Sequence, residues 1–120
     1  MKWKIRISEV GSEVKELIQA SKQFDLVIEG KRNDMRDFTV HFDGGLPVEP
    51  LKEGDEFTIG GTSMYIIALG EQVNGHLKEH GACTVDFSGG LAPSGPCVIM
   101  LDGVYENFDF LRDRAVITVK

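Results

Sequence analysis

The sequence predicts an all-β fold: a compact β-barrel or sandwich of seven to eight short strands with two short helices. Three observations carry this. Apolar and polar residues alternate in short runs, as in "KWKIRISEV", where Trp3, Ile5 and Ile7 fall on one face and Lys4, Arg6 and Ser8 on the other. Fourteen glycines, several in pairs, punctuate these runs as tight turns. Seven phenylalanines and many Val and Ile residues favour pleated, half-buried surfaces over bundles of long helices.

Taken in order, the first strand gives way to "SEVKELIQASKQF", where Val14, Leu17 and Ile18 stand at helical spacing. Ser12 suits its N-cap and Lys22 its last turn. "DLVIEG" returns to strand, and "KRNDMRD", Lys31 to Asp37, reads as an exposed polar loop. "DFTVHF" is a strand ending at Gly44-Gly45. "PLKEGDEFTIGG" and "TSMYIIALG" form a hairpin closed near Gly60-Gly61. "EQVNGHLKEHG" is a short helix stopped by Gly81. "ACTVDFSGG", "PCVIMLDG" and "RAVITVK" supply three more strands. No linker divides the chain, so residues 1–120 are expected to form one domain.

"TVHFDGGL", from Thr39, recurs with two changes as "TVDFSGGL", from Thr84. The match suggests an internal pseudo-twofold with the two copies side by side. One copy carries His41 where the other carries Asp86.

Composition narrows the function. With 13 Lys+Arg against 19 Asp+Glu the net charge is −6, and no basic face is clustered, which argues against nucleic acid and anionic membranes as partners. No apolar run is long enough to span or insert in a bilayer, and the start has no signal-peptide core, so a soluble cytoplasmic protein is expected. In that setting Cys83 and Cys97 are expected to be reduced thiols.

His41 is the leading chemical candidate. Val40 and Phe42 must face the core, so His41 and Thr39 face outward, one step before a glycine turn that leaves space above the ring. A neutral imidazole there can act as nucleophile, general base or metal ligand, or can be a solvated strand histidine with no task. His76 and His80, four apart on one helical face, with Cys83 three residues later, form a weak metal-ligand pattern. Cys83 and Cys97 stand beside strand-like runs without adjacent cations, as buried apolar thiols do. Asp37, Asp43 and Asp86 read as turn carboxylates. There is no phosphate-cradling glycine loop with its lysine, no nucleophile elbow and no dinucleotide fingerprint, so no cofactor is expected.

The chain resembles the glucitol/sorbitol-specific IIA components of the bacterial phosphoenolpyruvate-dependent sugar phosphotransferase system. The resemblance lies in "ISEVG" before a helix, "DLVIEG", "DFTVHFDGGL", and above all "PLKEGDEFTIGGTSMYIIALGEQVNGHLKEHGACTVDFSGG", with its G-x-x-F-x-I-G core, Tyr65 and A-x-G turn at 68 to 70. The last third matches only loosely. The resemblance implies that His41 takes a phosphoryl group from the phosphocarrier HPr and passes it to the IIB component serving the IIC permease. Two positions depart from the family pattern: Asp43 and Ala82 stand where members often have histidines.

Phosphoryl transfer needs an in-line approach and hydrogen bonds to the equatorial oxygens. Candidate support comes from Asp86, to hold the second ring nitrogen if the copies adjoin, and from Asp43. Candidate donors are the amides of Gly44 and Gly45 and the hydroxyls of Thr39 and Thr84. Leu46, Pro47 and Leu91 would form an apolar docking rim, and exposed barrel edges would suit a homodimer. The rivals are a regulatory module on the same fold and a metal site using His76, His80 and Cys83.

Overall fold

The computed structural model describes residues 1–31, 35–103 and 107–120, so part of the loop expected over Lys31 to Asp37 lies outside the described residues. Its elements are β1 (Trp3–Val10), α1 (Val14–Ser21), β2 (Gln23–Ile28), a 3-10 turn (Arg36–Phe38), β3 (Thr39–Gly44), β4 (Glu56–Ile59), β5 (Thr62–Leu69), α2 (Val73–His80), β6 (Ala82–Asp86), β7 (Val98–Leu101) and β8 (Val116–Val119). The strands close a barrel in the order β1-β3-β2-β6-β7-β5-β4-β8, with β8 returning to β1. The expected eight strands and two short helices are present, and the hairpin closes at Gly60-Gly61. Closure pairs both sides of every described strand, so the free edges on which a homodimer was expected to form are absent among the described residues.

Alternation fills the barrel. Trp3, Ile5 and Ile7 of β1, Val40 and Phe42 of β3, Phe57 and Ile59 of β4, and Ile117 and Val119 of β8 all point inward and are almost wholly buried. Val14 and Ile18 of α1, and Val73 and Leu77 of α2, cap this core. The α1 start differs from expectation. Glu13, not Ser12, is the N-cap, and it makes no side-chain cap bond. That amide is satisfied instead by the backbone, Glu13 N–H donating to Asp37 O at 2.8 Å.

The barrel is built from one motif used twice. Raising first-half numbers by 59 (Gly11 to Gly70, Lys22 to Gly81) maps one half onto the other. The pair Asp25–Thr39 in β2–β3 corresponds to Thr84–Val98 in β6–β7, and both pairings are parallel. Ile7–Phe42 corresponds to Ile66–Leu101, each followed by one bulged residue, Ser8 or Ile67, before pairing resumes at Glu9–His41 or Ala68–Met100. Gly11 N–H donates to Thr39 O as Gly70 N–H does to Val98 O. Both helices end on a left-handed residue, Lys22 at φ 59° and Gly81 at φ 65°.

This corrects the repeat read from the sequence. "TVHFDGGL" lies on β3 and "TVDFSGGL" on β6, and β2 runs between them. The true counterpart of β3 is β7, so the partner of Phe42-Asp43-Gly44 is Leu101-Asp102-Gly103. Strands of similar burial and turn chemistry look alike over eight residues without occupying equivalent places.

Candidate functional site

His41 is centred on β3, opposite Glu9 of β1 and Val27 of β2. Its side chain leaves the strand on the face opposite Val40 and Phe42, as strand parity requires. The expectation that it is wet and unobstructed fails: its relative exposure is 0%. The chain preceding β3 folds back over the outer wall. There Arg36 bridges two carboxylates that flank the histidine strand. Its Nε donates to Glu9 Oε1 at 2.6 Å, and its two terminal nitrogens donate to Glu29 Oε1 and Oε2 at 2.9 and 3.2 Å. Glu29 is anchored beside β3 by its own N–H, which donates to Phe42 O at 2.8 Å. The guanidinium therefore spans β3 above the imidazole, and its side chain is 44% exposed.

This surrounding holds His41 neutral. Burial lowers its pKa from the usual 6.5, the Arg36 charge lowers it further, and Glu29 and Glu9 oppose the shift. Glu29 in turn is held below the usual carboxylate range, first by its hydrogen bonds from Arg36.

The other candidates scatter. Asp86 is on the outer face but two strands away. In the registers His41–Val27 and Val27–Ala82, it lies four residues farther along β6, about 13 Å at the usual strand rise. Its Oδ2 accepts from Gln23 Nε2 at 2.5 Å and its Oδ1 from Ser88 N–H at 2.7 Å. It is therefore not placed to orient the His41 ring. Asp43 shares the His41 face, opposite Arg6. Gly44 is pressed against Ile5, and Gly45 accepts from Trp3 Nε1 at 2.9 Å, so both serve the turn at the end of β3. The Thr39 hydroxyl donates weakly to Met35 O and Arg36 O at 3.4 Å, tying down the turn that carries Arg36. Thr84 Oγ1 donates to Asp25 Oδ1 at 2.7 Å.

His76 lines a pocket of about 410 Å³ with Asp25, Thr39, Cys83, Thr84 and Cys97. One of its ring nitrogens, Nδ1, is bound to Ala82 O at 2.8 Å. His80 points to solvent, its ring 4.7 Å from that of His76. Cys83 packs in the core, where burial pushes its thiol far above the usual range, and Cys97 is a second free thiol. Among the described residues no three His, Cys, Asp or Glu side chains are grouped to hold a metal ion. Leu46 and Pro47 border a second pocket of about 530 Å³ beside α2, whereas Leu91 is 90% exposed. Sequence reasoning missed Arg36, Glu9 and Glu29. Glu29, one residue past β2 on the Asp25 and Val27 face, carried a parity signal. Glu9 did not, because it shares the parity of Trp3, Ile5 and Ile7 and is turned outward only by the bulge at Ser8. The neighbours of β3 are fixed only by the crossover topology.

The site is thus a buried histidine on the outer wall of a closed barrel, crossed by an arginine. The sequence model of the PTS system glucitol/sorbitol-specific IIA component matches residues 2–112, and the chain belongs to that family. The crystal structure of a PTS system IIA component from Enterococcus faecalis V583 shares the fold. It is 19% identical, covers 97% of this chain and 98% of its own, and superposes with a TM-score of 0.79. No curated protein matches the chain. Among the described residues no helix is long and apolar enough to cross a membrane.

Proposed function

We propose that the chain is a cytoplasmic phosphohistidine carrier for uptake of glucitol- or sorbitol-type sugar alcohols. His41 accepts a phosphoryl group from phospho-HPr and passes it to the IIB component serving the IIC permease. The observation that carries this reading is His41 itself: an imidazole on the outer wall, kept neutral by burial and by Arg36, in a chain of the glucitol IIA family. Neutrality matters because the attacking nitrogen needs its lone pair.

The chemistry balances without proton movement. The lone pair of one His41 nitrogen forms a new N–P bond as the donor's N–P bond breaks, and that bond's electron pair returns to the donor ring. Each ring keeps its own N–H. Transfer onward to IIB repeats the displacement with a sulfur nucleophile. The balance itself draws on neither of the absent family histidines, replaced by Asp43 and Ala82.

The test is incubation with phosphoenolpyruvate, enzyme I and HPr. The protein should gain one acid-labile, base-stable phosphate, abolished in His41→Ala and retained in His76→Ala and His80→Ala. A phosphate that survives in His41→Ala, or none on the unaltered chain, would overturn the assignment.

A further inference from the structure

We propose that Arg36 is the phosphoryl-binding residue of the site, held in reserve by Glu9 and Glu29 and transferred to the phosphoryl oxygens when His41 is loaded. This inference rests on the carrier reading above.

The geometry argues for it first. Glu9 on β1 and Glu29, just past the end of β2, flank β3 on its two sides, and the guanidinium joining them crosses the strand at His41. A phosphoryl group delivered to that ring brings about two negative charges beside two carboxylates. Without a cation the site would repel it. A guanidinium offers a planar fork that pairs with phosphate as readily as with carboxylate. Because its present ion pairs are exposed, little is lost when they exchange. The same movement takes the guanidinium off the imidazole, which the donor must reach.

The duplicated half is an internal control. There the scaffold repeats the bulge and the parallel strand pair, yet the counterparts of Glu9, Glu29, Arg36 and His41 are Ala68, Ser88, Gly95 and Met100. Ala68, Val98 and Met100 form an apolar cluster on that outer wall. The fold is thus built without any of the four polar groups. They occur together, in one half only, around the one strand histidine.

The experiment uses two donors on the whole chain: phospho-HPr and phosphoramidate, a small histidine-phosphorylating reagent that needs no docking surface. In Arg36→Gln, His41 phosphorylation should slow on the order of 100-fold with both donors, as when one anion-stabilising donor is removed. Arg36→Lys should recover part of the rate. The His41 pKa, followed by NMR of the ring, should rise in Arg36→Gln and return toward its original value in Arg36→Lys, which restores the charge. Glu9→Gln/Glu29→Gln keeps Arg36 but removes its resting partners, and should be phosphorylated at least as fast as the unaltered chain. This variant decides the matter if Arg36→Gln fails to fold. An unchanged or faster rate in Arg36→Gln, a loss confined to phospho-HPr, or a slow Glu9→Gln/Glu29→Gln protein would overturn the inference while leaving the carrier reading intact. No phosphate on His41 of the unaltered chain would remove both.

Discussion

At the scale of single residues, His41 links the site to pH. Unfolded, its imidazole titrates near 6.5; folded, burial and Arg36 hold the value lower. Below pH 6.5 the unfolded chain therefore binds a proton that the folded chain refuses. Stability from this group is full above 6.5 and falls as pH drops through the interval down to the folded value. Melting temperatures of the unaltered chain and of His41→Asn should accordingly converge between pH 7.5 and 5.5. A constant gap would show that the ring is not held neutral. The side of β3 that bears His41 was legible from the alternation of Val40 and Phe42. Its exposure was not, because strand parity gives a direction and says nothing about what folds over it. The covering residue, Arg36, lies in a stretch whose polarity reads as open loop.

At the scale of elements, the two halves meet the same backbone demand with different side chains. Each helix stops on a left-handed residue, Lys22 or Gly81. At Gly81 a Cβ would collide with the Ile28 side chain in addition to the left-handed strain. Gly81→Ala should therefore cost about 1–3 kcal/mol, read from the urea midpoint. Lys22→Gly relieves the strain but gives up the ammonium over the Phe108 ring, so it should shift stability by less than about 1 kcal/mol. The helices, the hairpin and the strands were legible from periodicity and glycine placement. The true repeat was not. From Trp3 to Gly30 only Ile7, Gly11, Val14 and Gly30 recur unchanged 59 positions later, at Ile66, Gly70, Val73 and Gly89. Most conserved demands of the motif are hydrogen bonds between backbone atoms, which many side chains satisfy equally.

For the whole molecule, closure depends on the last strand. β8 pairs with β1 on one side and β4 on the other, and Ile117 and Val119 reach the core. Deleting residues 116–120 should open β1 and β4 as unpaired edges and remove cooperative thermal unfolding, with aggregation on heating. A truncated chain that melts in one sharp transition would show that the remaining seven strands suffice. An all-β barrel was readable from composition and alternation. Its strand order was not, because the parallel pairs β2–β3 and β6–β7 depend on crossovers that leave no periodic trace.

The ladder between β1 and β8 also brings the two chain ends together: Trp3 faces Val119, and Lys2 N–H donates to Val119 O at 2.8 Å. A short glycine bridge from Lys120 to Met1 would thus turn the polypeptide into a ring. Reopened in the connection between β3 and β4, that ring would keep every strand whole and merely exchange the sequence in which the two motifs are synthesised. Where the polymer starts is separable from the shape it takes.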